Sequence, residues 1–241
     1  RLNRAASLLN GTDSLKYSIN NDKDLEEQFQ KKMMVMIHNR IQHTINLFLT
    51  GDEAELERRR YYTPESEGYG MYPAMIKTAL KFSGKDEYMS RLLNVMYYYF
   101  SGVVLRLKIP MTEAPEPLID EAYALQQKAF SLEPKAAYIY NELGVLLLYK
   151  NKPKEAREQF LTATKLSPAW SIPWSNLILV NILLEDLASS KSAFENAVKL
   201  QPGLSNIYVH AGELYEKQKN LLLAEENLRK SIDLNSRHFL P

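Results

Sequence analysis

Pro134, Pro168 and Pro202 stand 34 residues apart, and Ser236 takes the next place in the series. Leu132, Leu166, Leu200 and Leu234 keep the same interval, as do Ala122, Ala156, Ser190 and Ala224. Self-similarity at a fixed period of this length marks a chain of stacked units. One unit alone cannot bury its hydrophobic face, whereas neighbours in register can. The spacing predicts an extended helical array, so function must be sought on its surfaces.

The clearest unit is residues 137–170. Tyr140, Leu143, Gly144 and Leu147 recur at helical spacing and share a face of a first helix. Gly144 lowers helix propensity but lets a second helix come very close. Asn151-Lys152-Pro153 reads as the turn, with Pro153 suited to the first position of the next helix. Ala156, Phe160 and Ala163 then form the facing stripe. The expectation is that Ala156 sits opposite Gly144, with Phe160 filling the wider space beside it. Pro168 stops the chain before the next unit.

These residues resemble the tetratricopeptide repeat: an aromatic, Leu-Gly, a bulky residue, then Ala, Phe, Ala and a closing Pro. Residues 137–170 fill nearly every slot. Residues 171–204 keep Trp174, Leu177, Phe194, Ala197 and Pro202, but place Ile178 at the Gly slot, Asn181 at the bulky slot and Ser190 at the Ala slot. Residues 205–238 keep Tyr208, Gly212, Tyr215 and Ala224, with Leu228 for Phe and Ser236 for Pro. An earlier unit, 95–136, fits through Tyr98, Gly102, Leu105, Ala122, Ala129, Leu132 and Pro134. A Pro-rich loop, roughly Ile109–Glu116, is inserted in it. The resemblance implies an all-α fold, a right-handed superhelical array of antiparallel helix pairs. It covers four units over about 95–238, with an N-terminal helical segment, 1–94, that extends the array or folds back on it.

Within that segment the pattern predicts a short helix from Leu2 to Leu9 and a long one from about Asp22 to Thr50, capped by Asn21 or Asp22. The Met33–Ile37 stretch is apolar all round and is expected to be buried. A short charged helix, Glu53 to Tyr62, a loop at 63–70, and a helix from about Met71 to Phe82 follow. Asp86 opens a helix to about Lys108 whose apolar girth, including Tyr97-Tyr98-Tyr99-Phe100, suits core and groove lining.

The rest of the composition narrows the chemistry. A net charge of +1 implies no broad affinity for polyanions. The absence of cysteine excludes disulfides and thiolate metal sites. No apolar run is long enough to span a bilayer, and no signal peptide is present, so the chain reads as soluble, cytoplasmic or periplasmic. It begins with Arg1, not Met, and so reads as part of a larger polypeptide. His38 and His43, five apart, do not share a helix face, and His210 and His238 have no ligand pattern around them. There is no nucleophile elbow, Walker loop or dinucleotide fingerprint. No catalytic, cofactor or metal residue is therefore expected. Arg58-Arg59-Arg60 with Tyr61-Tyr62 could grip phosphate or stack on bases, but a solvated helix balanced by Glu53, Glu55 and Glu57 is the preferred reading, with no nucleic-acid partner.

Arrays of this family bind a peptide or helix on the concave face lined by the first helices. Mapped onto this sequence, that face is Tyr138, Asn141, Val145, Leu148 and Tyr149; then Ile172, Ser175, Leu179, Ile182 and Leu183; then Asn206, Val209, Glu213, Glu216 and Lys217. The groove is thus apolar in the middle and charged toward its C-terminal end. An open apolar strip asks for a cover: the chain's own 22–50 helix, a partner segment, or tight side-chain packing. Leu221, Leu222, Leu223, Leu228 and Ile232 likewise leave the last helix with apolar surface through which two copies could associate. The function expected is a non-catalytic protein–protein interaction scaffold, the alternative being a sensor array that regulates an attached catalytic domain.

Overall fold

The computed structural model describes residues 23–59, 68–84 and 86–236. Among them the regular elements are all helical, with no strand. In chain order they are α1 (Lys23–Thr50), α2 (Glu53–Arg58), α3 (Tyr72–Phe82), α4 (Glu87–Lys108), α5 (Glu116–Leu132), α6 (Ala137–Tyr149), α7 (Pro153–Leu166), α8 (Ser171–Leu183), α9 (Leu187–Leu200), α10 (Ser205–Lys217) and α11 (Leu221–Ser236). Short 3-10 turns lie at Tyr69–Met71 and Ile109–Met111. The predicted Leu2–Leu9 helix, the cap of α1 and Arg60–Tyr62 fall outside the described residues.

From α4 onward consecutive helices pack as pairs, α4 with α5, α6 with α7, α8 with α9 and α10 with α11. The last three pairs are closed by a turn that repeats with the sequence. Asn151, Glu185 and Lys219 stand one period apart and all adopt left-handed backbone, at φ 55°, 59° and 60°. The next residue of each turn sends its N–H back to a carbonyl five residues earlier, Lys152 to Leu147, Asp186 to Asn181 and Asn220 to Tyr215, each at 2.9 Å. This is the hydrogen-bonding pattern that commonly ends a helix with a left-handed residue, usually glycine. Here none of the three is glycine.

Inside the pairs the contact differs from expectation. Phe160, not Ala156, lies over Gly144: a Cβ added there would come within 2.5 Å of the ring. A flat ring can approach bare backbone more closely than it can a helix carrying side chains, so it fills the notch itself. Ala156 is fully buried beside it. Gly212 meets Leu228 in the same way, an added Cβ lying 2.7 Å from the Leu228 side chain. In the pair between them Ile178 occupies the glycine slot, and Ser190 donates its hydroxyl to the Ile178 carbonyl at 2.9 Å. Phe194 turns outward, edge-on to Tyr208 and Tyr215 at 6.2 Å each.

The N-terminal helices pack α1 on α3 and α3 on α4. Ile41, Ile45, Ile76, Leu93, Tyr99 and Phe100 form their fully buried centre. Thr44 and Tyr72 join hydroxyls at 2.9 Å across it. The apolar girth of α1 is only half buried. Met34 and Ile37 face the core, while Val35 is 42 % and Met36 64 % exposed. The reason is position: α1 lies at the edge and its described neighbours cover one side. The far end of α1 behaves differently. Phe48 meets Trp170 edge-on at 4.9 Å. Gln201 donates to the Gly51 carbonyl at 2.8 Å, 150 residues away in sequence, and accepts from the Ser171 hydroxyl at 2.5 Å.

The solvated charged helix expected at 53–62 is also corrected. α2 ends at Arg58, and Glu55 and Arg59 are buried. Arg59 donates to Glu55 at 3.1 Å and to the Tyr99 hydroxyl at 2.7 Å, with its guanidinium 3.5 Å from the centre of the Phe48 ring. Burial pulls its pKa down, but Tyr99, Tyr69, Glu55 and Glu142 around it prevail and raise it, so it stays charged. A guanidinium tolerates this site because its flat face stacks on the ring while its edge is hydrogen-bonded.

Candidate binding groove

The first helices of the pairs lie side by side, α8 against both α6 and α10. Their sequence-mapped wall residues fall into three sets. Asn141, Ser175 and Ile182 are buried. Asn141 accepts a hydrogen bond from Asn176 at 2.8 Å, tying α6 to α8, so it contributes to packing. Tyr138, Val145, Leu148, Ile172, Leu179 and Val209 are half-buried. Tyr149, Leu183, Asn206, Glu213, Glu216 and Lys217 are exposed, Leu183 by 55 %.

The half-buried set is covered unevenly. Tyr138, at the start of α6, stands edge-on to Tyr99 at 4.6 Å, and burial raises its phenol pKa. It shares an apolar cluster with Phe48 and Trp170, and Ile172 packs against the same cluster. The α1–α2 turn therefore seats against residues at the N-terminal ends of the first helices. Their C-terminal ends carry Tyr149 and Leu183, one period apart and both exposed. On α10 the wall turns polar. There the His210 imidazole, 3.7 Å away, holds the Glu213 carboxyl below the usual carboxylate range.

Sequence reasoning did not find the residues that seat the turn, namely Phe48, Gly51, Trp170, Ser171 and Gln201. Trp170 precedes α8 and reads by position as a linker. Nothing local links it to a helix 122 residues upstream; only the unexplained bulk of an aromatic in a connecting segment could have raised the question. Among the described residues no group of His, Asp and Glu is placed to hold a metal ion. No described helix is long and apolar enough to cross a membrane.

Stacked helix pairs with one wall formed by their first helices define a class, the helical repeat scaffold. The model of the tetratricopeptide repeat matches residues 137–169 and 205–238, two units of the array. Among known proteins the chain is similar to the human protein O-mannosyl-transferase TMTC3, 36 % identical over 93 residues, which are 38 % of this chain and 10 % of that protein. It is also similar to the type IV pilus assembly protein PilF of Pseudomonas aeruginosa, 26 % identical over 117 residues, covering 48 % of this chain and 45 % of that protein. A solved structure of Pseudomonas aeruginosa PilF superposes with a TM-score of 0.55 at 16 % identity, covering 85 % of this chain and 77 % of the other. The chain thus spans a tenth of one curated relative and under half of the other. What is shared is the repeat architecture, which generally serves protein interaction.

Proposed function

We propose that the chain is an interaction scaffold that takes a peptide or helix along the first-helix wall, over Leu148, Tyr149, Leu179, Leu183 and Val209 toward Asn206 and Glu213. The observation that carries this reading is the pair Tyr149 and Leu183. They are equivalent residues of successive first helices, both large, apolar and exposed. A ladder of apolar anchors at helix-to-helix spacing suits a partner that presents apolar side chains in series. The polar end on α10 suits a partner with hydrogen-bonding groups at one terminus. The α1–α2 turn takes the other edge of the wall, so the partner is expected to run along the free edge.

The test is selection of peptides from a random library on the whole chain, followed by titration against variants. Tyr149→Asp with Leu183→Asp is expected to weaken the selected peptides at least tenfold at unchanged helicity. Leu166→Asp, at the end of α7, is expected to leave them unaffected. Peptides that bind all three chains alike would overturn the groove.

A second surface is supported by a separate observation. Leu221, Leu222 and Ile232 on α11 are strongly exposed. One period earlier, α9 is covered by α10, against which Phe194 packs its ring. We propose that α11 receives a further helix pair in the same manner, and that a second copy can supply it. Light scattering is expected to show a mass that rises with concentration and falls to the monomer in Leu222→Asp with Ile232→Asp.

A further inference from the structure

The bulky slot of the repeat is Leu147 in one unit and Tyr215 in another, but Asn181 in the unit between them. Leu147 is buried in the core, whereas Asn181 leaves room. A cavity of about 310 Å³ opens over it between α7, α8 and α9, floored by Leu177 and Ala193, walled by Leu161 and Trp174, and flanked by Arg157. Arg157 is already engaged by Asp186 at 3.5 Å. Asn181 is only 4 % exposed, and its side-chain oxygen is buried with no hydrogen-bond partner. An unpaired buried carbonyl is costly, and native interiors seldom keep one without a use.

We infer that this notch is a binding site for an apolar group bearing an amide. A carboxamide offers a donor and an acceptor side by side, and rotation about its last bond can present either one. A second amide answers both at once. Trp174, Leu177, Leu161 and Ala193 form most of the remaining lining, with Ser189 and Ser192 of α9 beside them, so the remainder of the ligand is mainly apolar. The volume lies at the lower end of small-molecule sites, room for one ring or one large side chain. The notch is flanked by two second helices and shares none of the exposed groove anchors, so it stands independently of the groove. The amide can come from a peptide segment inserting one side chain or from a free small molecule.

The test uses the whole chain and the indole N–H signals of its two tryptophans in solution NMR. Benzamide and N-acetyl-phenylalanine methylamide are titrated, with benzyl alcohol as the amide-free control. Both amides are expected to shift the Trp174 signal saturably and to leave that of Trp170 in place. The tighter of the two identifies the source as small molecule or peptide. Asn181→Leu, which restores the repeat's own side chain, is expected to weaken the amides at least tenfold; Asn181→Ala serves if the leucine variant does not fold. The site is overturned if neither amide saturates, if benzyl alcohol binds as tightly as they do, or if the variant binds them as well as the native chain.

Discussion

Residues 137–170 and 171–204 have the same length, the same turn and the same stacking, yet they close their helix pairs in opposite ways. In the first, a glycine lets the Phe160 ring lie on the helix backbone and seal the pair from inside. In the second, Ile178 excludes the ring, Ser190 bonds the backbone in place of an apolar contact, and Phe194 is handed to the following unit. The first unit is built to be stable within itself. The second is built to hold its neighbour, and it leaves a recess over Asn181. Period alone fixes the stacking; the slot residues decide where the cohesion goes.

That contrast can be broken most severely at the two phenylalanines. Phe160→Ala is expected to destabilise the chain by about 4 kcal/mol, and Phe194→Ala, whose ring is less completely buried, by about half as much, in denaturant titrations. Equal losses would mean that the two pairs close alike. Gly144→Ala drives a methyl toward the Phe160 ring and is expected to cost about 2 kcal/mol. Asn181→Leu should do the reverse, raising stability by about 1 kcal/mol as it fills the recess and removes the unpaired carbonyl. Lys219→Gly relieves a left-handed residue and is expected to stabilise by about 0.5 kcal/mol, the smallest effect.

A sharper distinction comes from pH. Asp186 caps α9, and the Ser189 N–H and hydroxyl hold its carboxyl below the ordinary value of 3.8. A lowered folded pKa means stability that is present above the unfolded value and lost as pH falls through the folded one. Lys152, at the equivalent place before α7, makes no such cap. Asp186→Asn is therefore expected to flatten part of the acid loss of stability, measured by thermal midpoints below about pH 4. An unchanged profile would remove the cap from the comparison.

The array was legible because its signals are local and repeated. Pro134, Pro168 and Pro202 mark its period, and Asp86 and Pro153 mark helix starts that the structure places within a residue of expectation. The ring over Gly144 is not legible in the sequence, because periodicity gives faces and not rotamers. Three arginines beside three glutamates have the pattern of a solvated surface, so nothing local marks Arg59 as buried. Its burial depends on Phe48, Tyr69 and Tyr99, which come from three other parts of the chain. The Met33–Ile37 girth has the pattern of a buried helix, but hydrophobicity cannot say how many neighbours a helix has. Of the first-helix face, the sequence located the helices but not which side chains α1 leaves exposed.

The seating of the α1 end on the array is what divides the wall into a covered edge and a free one. Iodide quenching of Trp170 in a Trp174→Phe chain tests it directly, since Trp170 is then the sole indole. With Phe48 in place, Trp170 is expected to be shielded, and Phe48→Ala is expected to open it to quencher at unchanged helicity. A Trp170 that is quenched as readily with Phe48 as without it would mean that the wall is bare along its whole length.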